Sequence, residues 1–521
     1  MVNASRPVCQ SRPNCNTRRS KSLKSRQSQT SASWVTGYDL PLRIHSSIDH
    51  LLEKGHDINV LGTARTEIYS TRVYRTLRRL TPTHTIHFEL DMVYSLTTHL
   101  MRCHFLFHEG IVVHPDFIKP QYGSHCFADL PAALKSLLTG VGTSSLAPGV
   151  LGRFDRHYDT VILFFIDSFG WRYIEQYGDS ASFLRRLAQQ GQLCKLTSQF
   201  PSTTMAHVTT IHTGLPVGQS GAYEWQYYDP LVDAIIMPLF FSYAGARQRD
   251  TLDANIFAPE QLFPYTPFYQ DLAQHGIQST ILQHREYTPS TYSNVVFQGA
   301  RILPYNTLPE ALVNLQLCLA QQTSPAYYFL YFDKIDALSH QYGPSSPQVE
   351  AELDTFLTVM DRWFDRLLQE QRSRTLFLIT ADHGQIETDP QTTIYLNREA
   401  RFAGLDTYLK TNRNGDMLVP AGSARDLFLY IKDEMLDEAH DFLANRLAGQ
   451  ADVVKTQQLI DTGYFGPPPM SELFLSRVGN LIILPHEHNT VWWHEKGKFE
   501  QNKYGLHGGL SRQEMEIPLG L

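Results

Sequence analysis

The chain has 521 residues, of which 42% are hydrophobic and 19% charged, a balance that builds a sizeable core and excludes a disordered or fibrous polypeptide. A formal net charge of −7 excludes a nucleic-acid-binding surface over the body of the protein and leaves a small-molecule partner as the expectation. The six cysteines, Cys9, Cys15, Cys103, Cys126, Cys194 and Cys318, form no Cys-x-x-Cys pair, so they read as reduced thiols rather than a zinc ribbon or disulfide framework.

Residues 1–100 are expected to lie outside the core. Their first forty or so positions are rich in Ser, Arg, Lys and Gln, nearly free of acids and large aliphatics, and cannot offset the entropy of ordering. No apolar leader opens the chain and no run reaches the ~18 residues of a membrane span, so the expected location is the cytoplasm. Met101 precedes the first stretch that reads as entry into a domain and is an alternative start. From there to about residue 394 helices alternate with short apolar runs. DLPAALKSLLTG reads as a helix capped by Asp129 and stopped by Gly140. VILFFI (161–166), YYFLYF (327–332) and TLFLIT (375–380) are continuous apolar runs, as expected of strands covered on both faces. The alternation predicts an α/β fold, a doubly wound and mostly parallel sheet with helices on both faces. Residues 395–500 read as a small α+β cap insertion, and residues 501–521 as a return to the core.

Each apolar run ends in acid. Asp167 follows the first, Asp333 and Asp336 the second, and Asp382-His383-Gly384 the third. Carboxyl ends of parallel strands meet at one edge of such a sheet, where ligands bind. Carboxylates crowded there repel one another, and a divalent metal supplies the missing charge. Asp336 and His340 are four apart, hence on one face of a helical turn. Asp382 and His383 are adjacent and need a backbone turn, which Gly384 would relax. His507 in LHGG, just before the C-terminus, is the member missing from a three-ligand set. The stretch FPSTTMAHVTTIHTG (200–214) holds six hydroxyl side chains and two histidines, more than a turn into a helix requires.

These pieces, FFIDSFG, FPSTTMAHVTTIHTG, DALSHQYGP, TADHG and LHGG, occur in the order found in the alkaline phosphatase superfamily, and the chain most resembles its type I phosphodiesterase/nucleotide pyrophosphatase branch over roughly residues 155–520. The resemblance implies two divalent metal ions, zinc in type. Asp167, Thr204, Asp382 and His383 would hold one, and Asp336, His340 and His507 the other. It also selects Thr204, among the six hydroxyls, as the nucleophile that forms a phosphothreonine intermediate. His207 stands where related enzymes carry an Asn and is expected to contact phosphate; Ser168 stands where they more often have Gly. Asp333 falls outside the ligand pattern and is expected to play a supporting role.

Tyr223 and Trp225 in AYEWQYYDP are candidates for stacking on a substrate ring. The histidines of HEHNTVWWHE (486–495) read as ordinary cap residues. The expected activity is metal-dependent cleavage of a phosphodiester or phosphoanhydride; the alternatives are a phosphomonoesterase of the same superfamily and a binding module that kept the fold.

Overall fold

The three acid-terminated runs are adjacent strands, and their alignment is what gathers the acids. In the computed structural model, which describes residues 113–369 and 374–521, the strand Thr160–Ile166 lies between Ala326–Phe332 and Thr375–Thr380 and is parallel to both. Ile166 is opposite Phe332 and Phe165 opposite Thr380, so all three strands end at the same level and Asp167, Asp333 and Asp382 emerge together. The expectations for residues 1–100 lie outside the described residues, as do Cys9, Cys15 and Cys103. Cys126, Cys194 and Cys318 are free thiols.

Seven strands form the central sheet, in the order Leu193–Thr197, Glu516–Gly520, Thr375–Thr380, Thr160–Ile166, Ala326–Phe332, Gln278–His284 and Ala300–Tyr305. Only the C-terminal strand Glu516–Gly520 runs against the rest. All seven residues of Thr160–Ile166 and of Ala326–Phe332 are buried, because helices cover both faces. The helix Leu130–Thr139 ends on Gly140 at φ 67°, as its sequence predicts. Asp129 does not cap it: its carboxylate accepts from Gly123 N–H and Ser145 Oγ instead, tying together the segments before and after the helix.

Residues in the expected cap build a four-stranded antiparallel sheet, Ala421–Ser423, Asp426–Leu429, Leu481–Pro485 and Ala451–Lys455. Alternation along these strands divides their side chains between two cores. Phe428, Tyr430, Val454, Ile482 and Leu484 join the main core, whereas Leu427, Leu429, Val453, Leu481 and Ile483 form a second one under the helix Leu436–Arg446. The cap sheet is thereby fixed to the body that carries the acids. The described residues belong to one compact unit. Among the described residues no helix is long and apolar enough to cross a membrane.

Candidate metal centre and catalytic cavity

Thr204 opens the helix Thr204–Thr213, directly above the carboxyl end of the sheet. The other five hydroxyls of its stretch are committed elsewhere. Ser202 Oγ donates to Gly509 O (2.8 Å), Thr203 to Tyr223 O (3.1 Å), Thr210 to Leu215 O (2.7 Å) and Thr213 to Thr209 O (2.7 Å), while Thr209 pairs with the Tyr292 hydroxyl (2.8 Å). Thr204 Oγ1 alone faces the acids, 3.3 Å from His383 Nε2. The first amides of a helix lack intrahelical acceptors, and the Thr203 side chain supplies none here, so a partly positive helix end faces the same space.

Two carboxylates lie beneath. Asp167 accepts from the Tyr331 hydroxyl through Oδ2, and Asp382 accepts through Oδ1 from the amides of Ser168 (3.0 Å) and His383 (2.9 Å). Their other oxygens, Asp167 Oδ1 and Asp382 Oδ2, are buried without a hydrogen-bond partner, 3.5 and 3.3 Å from His383 Nε2. Burial raises both carboxyls, Asp382 to about 6, and Asp167 is raised further by Asp382 and Asp336. Two orphaned anionic oxygens and one imidazole nitrogen converging in a buried space are the donor set of a divalent cation.

The second group shares His383. Asp336, His383 and His507 bring ligand atoms within 4.8 Å of one another, and His340 Nε2 lies 3.5 Å from Asp336 Oδ2. Helix Lys334–Tyr342 places Asp336 and His340 four residues apart on one face, as expected. All three imidazoles are held by the same device: Nδ1 meets a backbone carbonyl, of Gly384 for His383 (3.0 Å), Gly505 for His340 (2.7 Å) and Ser202 for His507 (3.0 Å). Nδ1 therefore carries the proton, and Nε2 is left as a lone-pair donor towards the acids. Burial keeps all three rings neutral, His383 down to about 3. Gln385 Nε2 donates to Asp336 Oδ1 (2.5 Å).

Backbone packing sets the loops that carry these side chains. Gly384 is required by close approach rather than by a left-handed turn: a Cβ there would meet Gln513 O at 2.1 Å. Gly508, at φ 122°, lets the chain after His507 pass Asp426 and Ser423, whose side chains a Cβ would strike at 2.5 and 2.6 Å. Glu514 then accepts from the amides of Gly509 and Ser511 and forms a fully buried pair with Arg425 of the cap (2.9 Å).

Of the three expected substrate contacts, Trp225 lines the cavity and the other two do not. Trp225 is 40% exposed and lies on the wall of a cavity of about 730 Å³ that also takes in Thr204, Asp167, Asp336 and His507. His207 is a correction. It is fully buried and absent from that wall, with Nδ1 against Thr203 O (2.7 Å) and Nε2 accepting from Gln199 N–H (3.0 Å) and meeting Ser198 Oγ (2.9 Å). Neither nitrogen is left for a phosphate, and burial holds the ring neutral, its pKa down to about 3. Tyr223 is also corrected. Its ring stacks on Tyr227 and its hydroxyl bonds Tyr430 (3.1 Å) and Arg477 O (3.2 Å), inside the core. Asp333 accepts from the Tyr287 hydroxyl (2.5 Å) and from Lys334 (3.3 Å), consistent with a supporting part.

Sequence reasoning missed several wall residues. Phe240, Tyr287 and Phe499, together with the cations Arg247, Arg249 and Lys503, come from loops whose approach no periodicity announces. Tyr331 was in view as part of an apolar run; its place one residue before the strand end was the available sign that its hydroxyl could reach Asp167. The histidines of HEHNTVWWHE do not converge: His486 pairs with Asp452 (2.7 Å), His488 with Glu387 O (2.8 Å) and His494 with Glu500 (3.6 Å).

Three acids, three imidazoles and a hydroxyl thus converge at one edge of an α/β sheet, an arrangement with the donor types to hold divalent metal. The profile of the type I phosphodiesterase / nucleotide pyrophosphatase family matches residues 161–510, and the chain belongs to that family. It is 24% identical over 241 residues to human ectonucleotide pyrophosphatase/phosphodiesterase family member 1, covering 46% of this chain and 24% of that protein. To venom phosphodiesterase CdcPDE of Crotalus durissus collilineatus it is 25% identical over 236 residues, 44% of this chain and 26% of the other. The chain thus spans about a quarter of the length of these curated relatives. The structure of murine ectonucleotide pyrophosphatase / phosphodiesterase 5, an inactive variant in complex with AMP, shares the fold with a TM-score of 0.52 at 17% identity, over 69% of this chain and 87% of that one.

Proposed function

We propose that the protein is a metal-dependent hydrolase that cleaves a phosphodiester or phosphoanhydride, with Thr204 as nucleophile. The observation that carries this reading is the isolation of one hydroxyl: Thr204 Oγ1 is the member of a six-hydroxyl stretch turned towards the two orphaned carboxylate oxygens and His383. The residues present fit two divalent cations. Asp167, Thr204, Asp382 and His383 would hold one, and Asp336, His340 and His507 the other. Bound there, the metals lower the pKa of a coordinated hydroxyl and neutralise charge on a phosphoryl group; zinc suits the mixed imidazole and carboxylate donors.

The protein's own groups do the rest. The Thr203 hydroxyl, tied to Tyr223 O, fixes the helix entry so that the neighbouring Thr204 side chain points at the acids. Amides of the first helical turn face the phosphate oxygens. Attack by Thr204 Oγ1 on phosphorus forms a phosphothreonine and expels the leaving group, and water then hydrolyses that ester. Trp225 and Phe240, in edge-to-face contact at 5.0 Å, offer an apolar wall to an aromatic substituent of the substrate. A reducing, cytoplasmic location belongs to the same reading, supported by the free thiols of Cys126, Cys194 and Cys318.

The test is a panel of an aryl phosphodiester, an aryl phosphomonoester and a dinucleotide polyphosphate, assayed with metal-replete protein. Faster cleavage of the diester or anhydride supports the reading. Preference for the monoester supports the phosphomonoesterase alternative, and turnover of none would leave a binding module.

A further inference from the structure

Glu224 brings to the cavity wall a carboxyl with no cation paired to it. It stands between Tyr223 and Trp225, is 1% exposed, and accepts from the Trp225 amide. Its side chain is in hydrogen-bond contact with that of Asp426, which is fully buried at the start of the cap strand Asp426–Leu429. Asp426 Oδ1 accepts from Ser423 through both the amide (3.2 Å) and the hydroxyl (2.5 Å), while Oδ2 is buried without a donor. Among the described residues no Lys, Arg or His lies within ion-pair distance of either carboxyl. The charged groups around them are Arg425 and Glu514, paired with each other at 2.9 Å, and Lys503, which attracts Glu224 without pairing with it.

Two carboxylates cannot hydrogen-bond each other, since neither has a proton to donate. One proton shared between them removes the repulsion and supplies the donor that Asp426 Oδ2 lacks. Burial favours the same state: it pushes Glu224 up to about 8, and burial followed by the Glu224 charge raises Asp426, with Glu514 adding to the rise. The pair sits where several segments meet. Gly422 N–H donates to Gln226 O (2.7 Å) and Gln226 Nε2 to Pro420 O (2.9 Å), which joins the Glu224 segment to the cap strand Ala421–Ser423. Ser423 Oγ reaches His507 O (3.1 Å) as well as Asp426, and Thr203 Oγ1 is bonded to Tyr223 O, beside Glu224.

We propose that Glu224 is held protonated at neutral pH and acts as a positioning residue: its O–H donates to Asp426 and fastens the wall carrying Trp225 to the turn that supports the His507 loop. The pair then bears one negative charge rather than two, and the cavity wall at Glu224 is neutral. Raising the pH removes the shared proton, sets two carboxylates against each other and loosens the junction. Gln can stand in for the protonated acid, because its amide donates to Asp426 at every pH. That substitution separates a proton at Glu224 from packing at the same position.

The test compares wild type with Glu224→Gln as metal-replete protein, with thermal melting to confirm that both are folded. Infrared difference spectra between about pH 6 and about pH 9.5 should show, in wild type, the carbonyl stretch of a buried protonated carboxyl that vanishes at the higher pH. Glu224→Gln should lack that band. Aryl diester turnover, the arm that rests on the proposed function, should fall about tenfold in wild type relative to the variant from about pH 7 to about pH 9, as the protonated fraction does for a group titrating near 8. A band missing from wild type, or of equal size in Glu224→Gln, would overturn the inference. So would a pH profile shared by the two proteins, or a folded Glu224→Gln without turnover at pH values where wild type is active. If neither protein hydrolyses the diester, the proposed function fails while the infrared band still decides this inference.

Discussion

At the scale of single residues, the account turns on which hydroxyl and which imidazole are free to act. Thr204→Ala should reduce diester turnover by several orders of magnitude, because nucleophile and metal contact vanish together. Thr213→Ala, which removes a hydroxyl bonded to its own helix, should change the rate by less than about threefold, the ordinary outcome away from a site. Steady-state rates on the same aryl diester compare the two directly. His207→Ala should act on stability instead: it strands Gln199 N–H, empties a ring-sized space in the core and should cost about 2–4 kcal/mol in denaturant unfolding. Ser168 makes the opposite case. It sits at φ 66° with its Oγ buried and unpartnered, and its useful group is the amide that donates to Asp382. Ser168→Gly should therefore keep activity and raise stability by about 1 kcal/mol, the left-handed penalty outweighing the extra freedom of glycine in the unfolded chain. The residue types of the candidate site were legible from the sequence because metal chemistry restricts them to Asp, His and a hydroxyl. The role of His207 was not, since position in a motif does not reveal which way a ring faces.

At the scale of elements, the second acid and histidine group depends on a contact between distant segments. His507 is placed by the loop that Glu514 gathers, and Glu514 is paired with Arg425 from the cap sheet. Burial would raise the Glu514 carboxyl, but Arg425 and the donors around it hold it below its ordinary value. Arg425→Met leaves an uncompensated buried carboxylate and should cost about 3–5 kcal/mol in unfolding free energy. Arg425→Met with Glu514→Gln should recover part of that loss, because no charge is then stranded. Equal stability of the single and double variants would contradict the pairing. The helix pair Asp336 and His340 could be read from spacing alone. The Arg425–Glu514 pair could not, as 89 residues separate its partners and neither belongs to a motif. Gly384 was recognised as special for a different reason from the one the structure gives, the passage of another backbone rather than a turn.

Across the whole molecule, the parallel sheet was legible because strands covered on both faces must be continuously apolar, and that pattern survives without any alignment. The antiparallel return of Glu516–Gly520 was not, since a five-residue strand ending the chain carries no directional signal. The cavity wall is built from loops of both the body and the cap, so its cations and rings emerge only with the tertiary structure. The same architecture makes metal the central claim, because buried acids at the sheet edge are left unsatisfied without it. Chelation should abolish turnover, and restored zinc should return it. The most direct measurement is the metal content of the purified, zinc-saturated protein, counted per chain by elemental mass spectrometry for wild type and His507→Ala. The account predicts about two ions for the wild type and about one for the variant. A wild-type protein that retains none, or a variant that retains as many as the wild type, would contradict it.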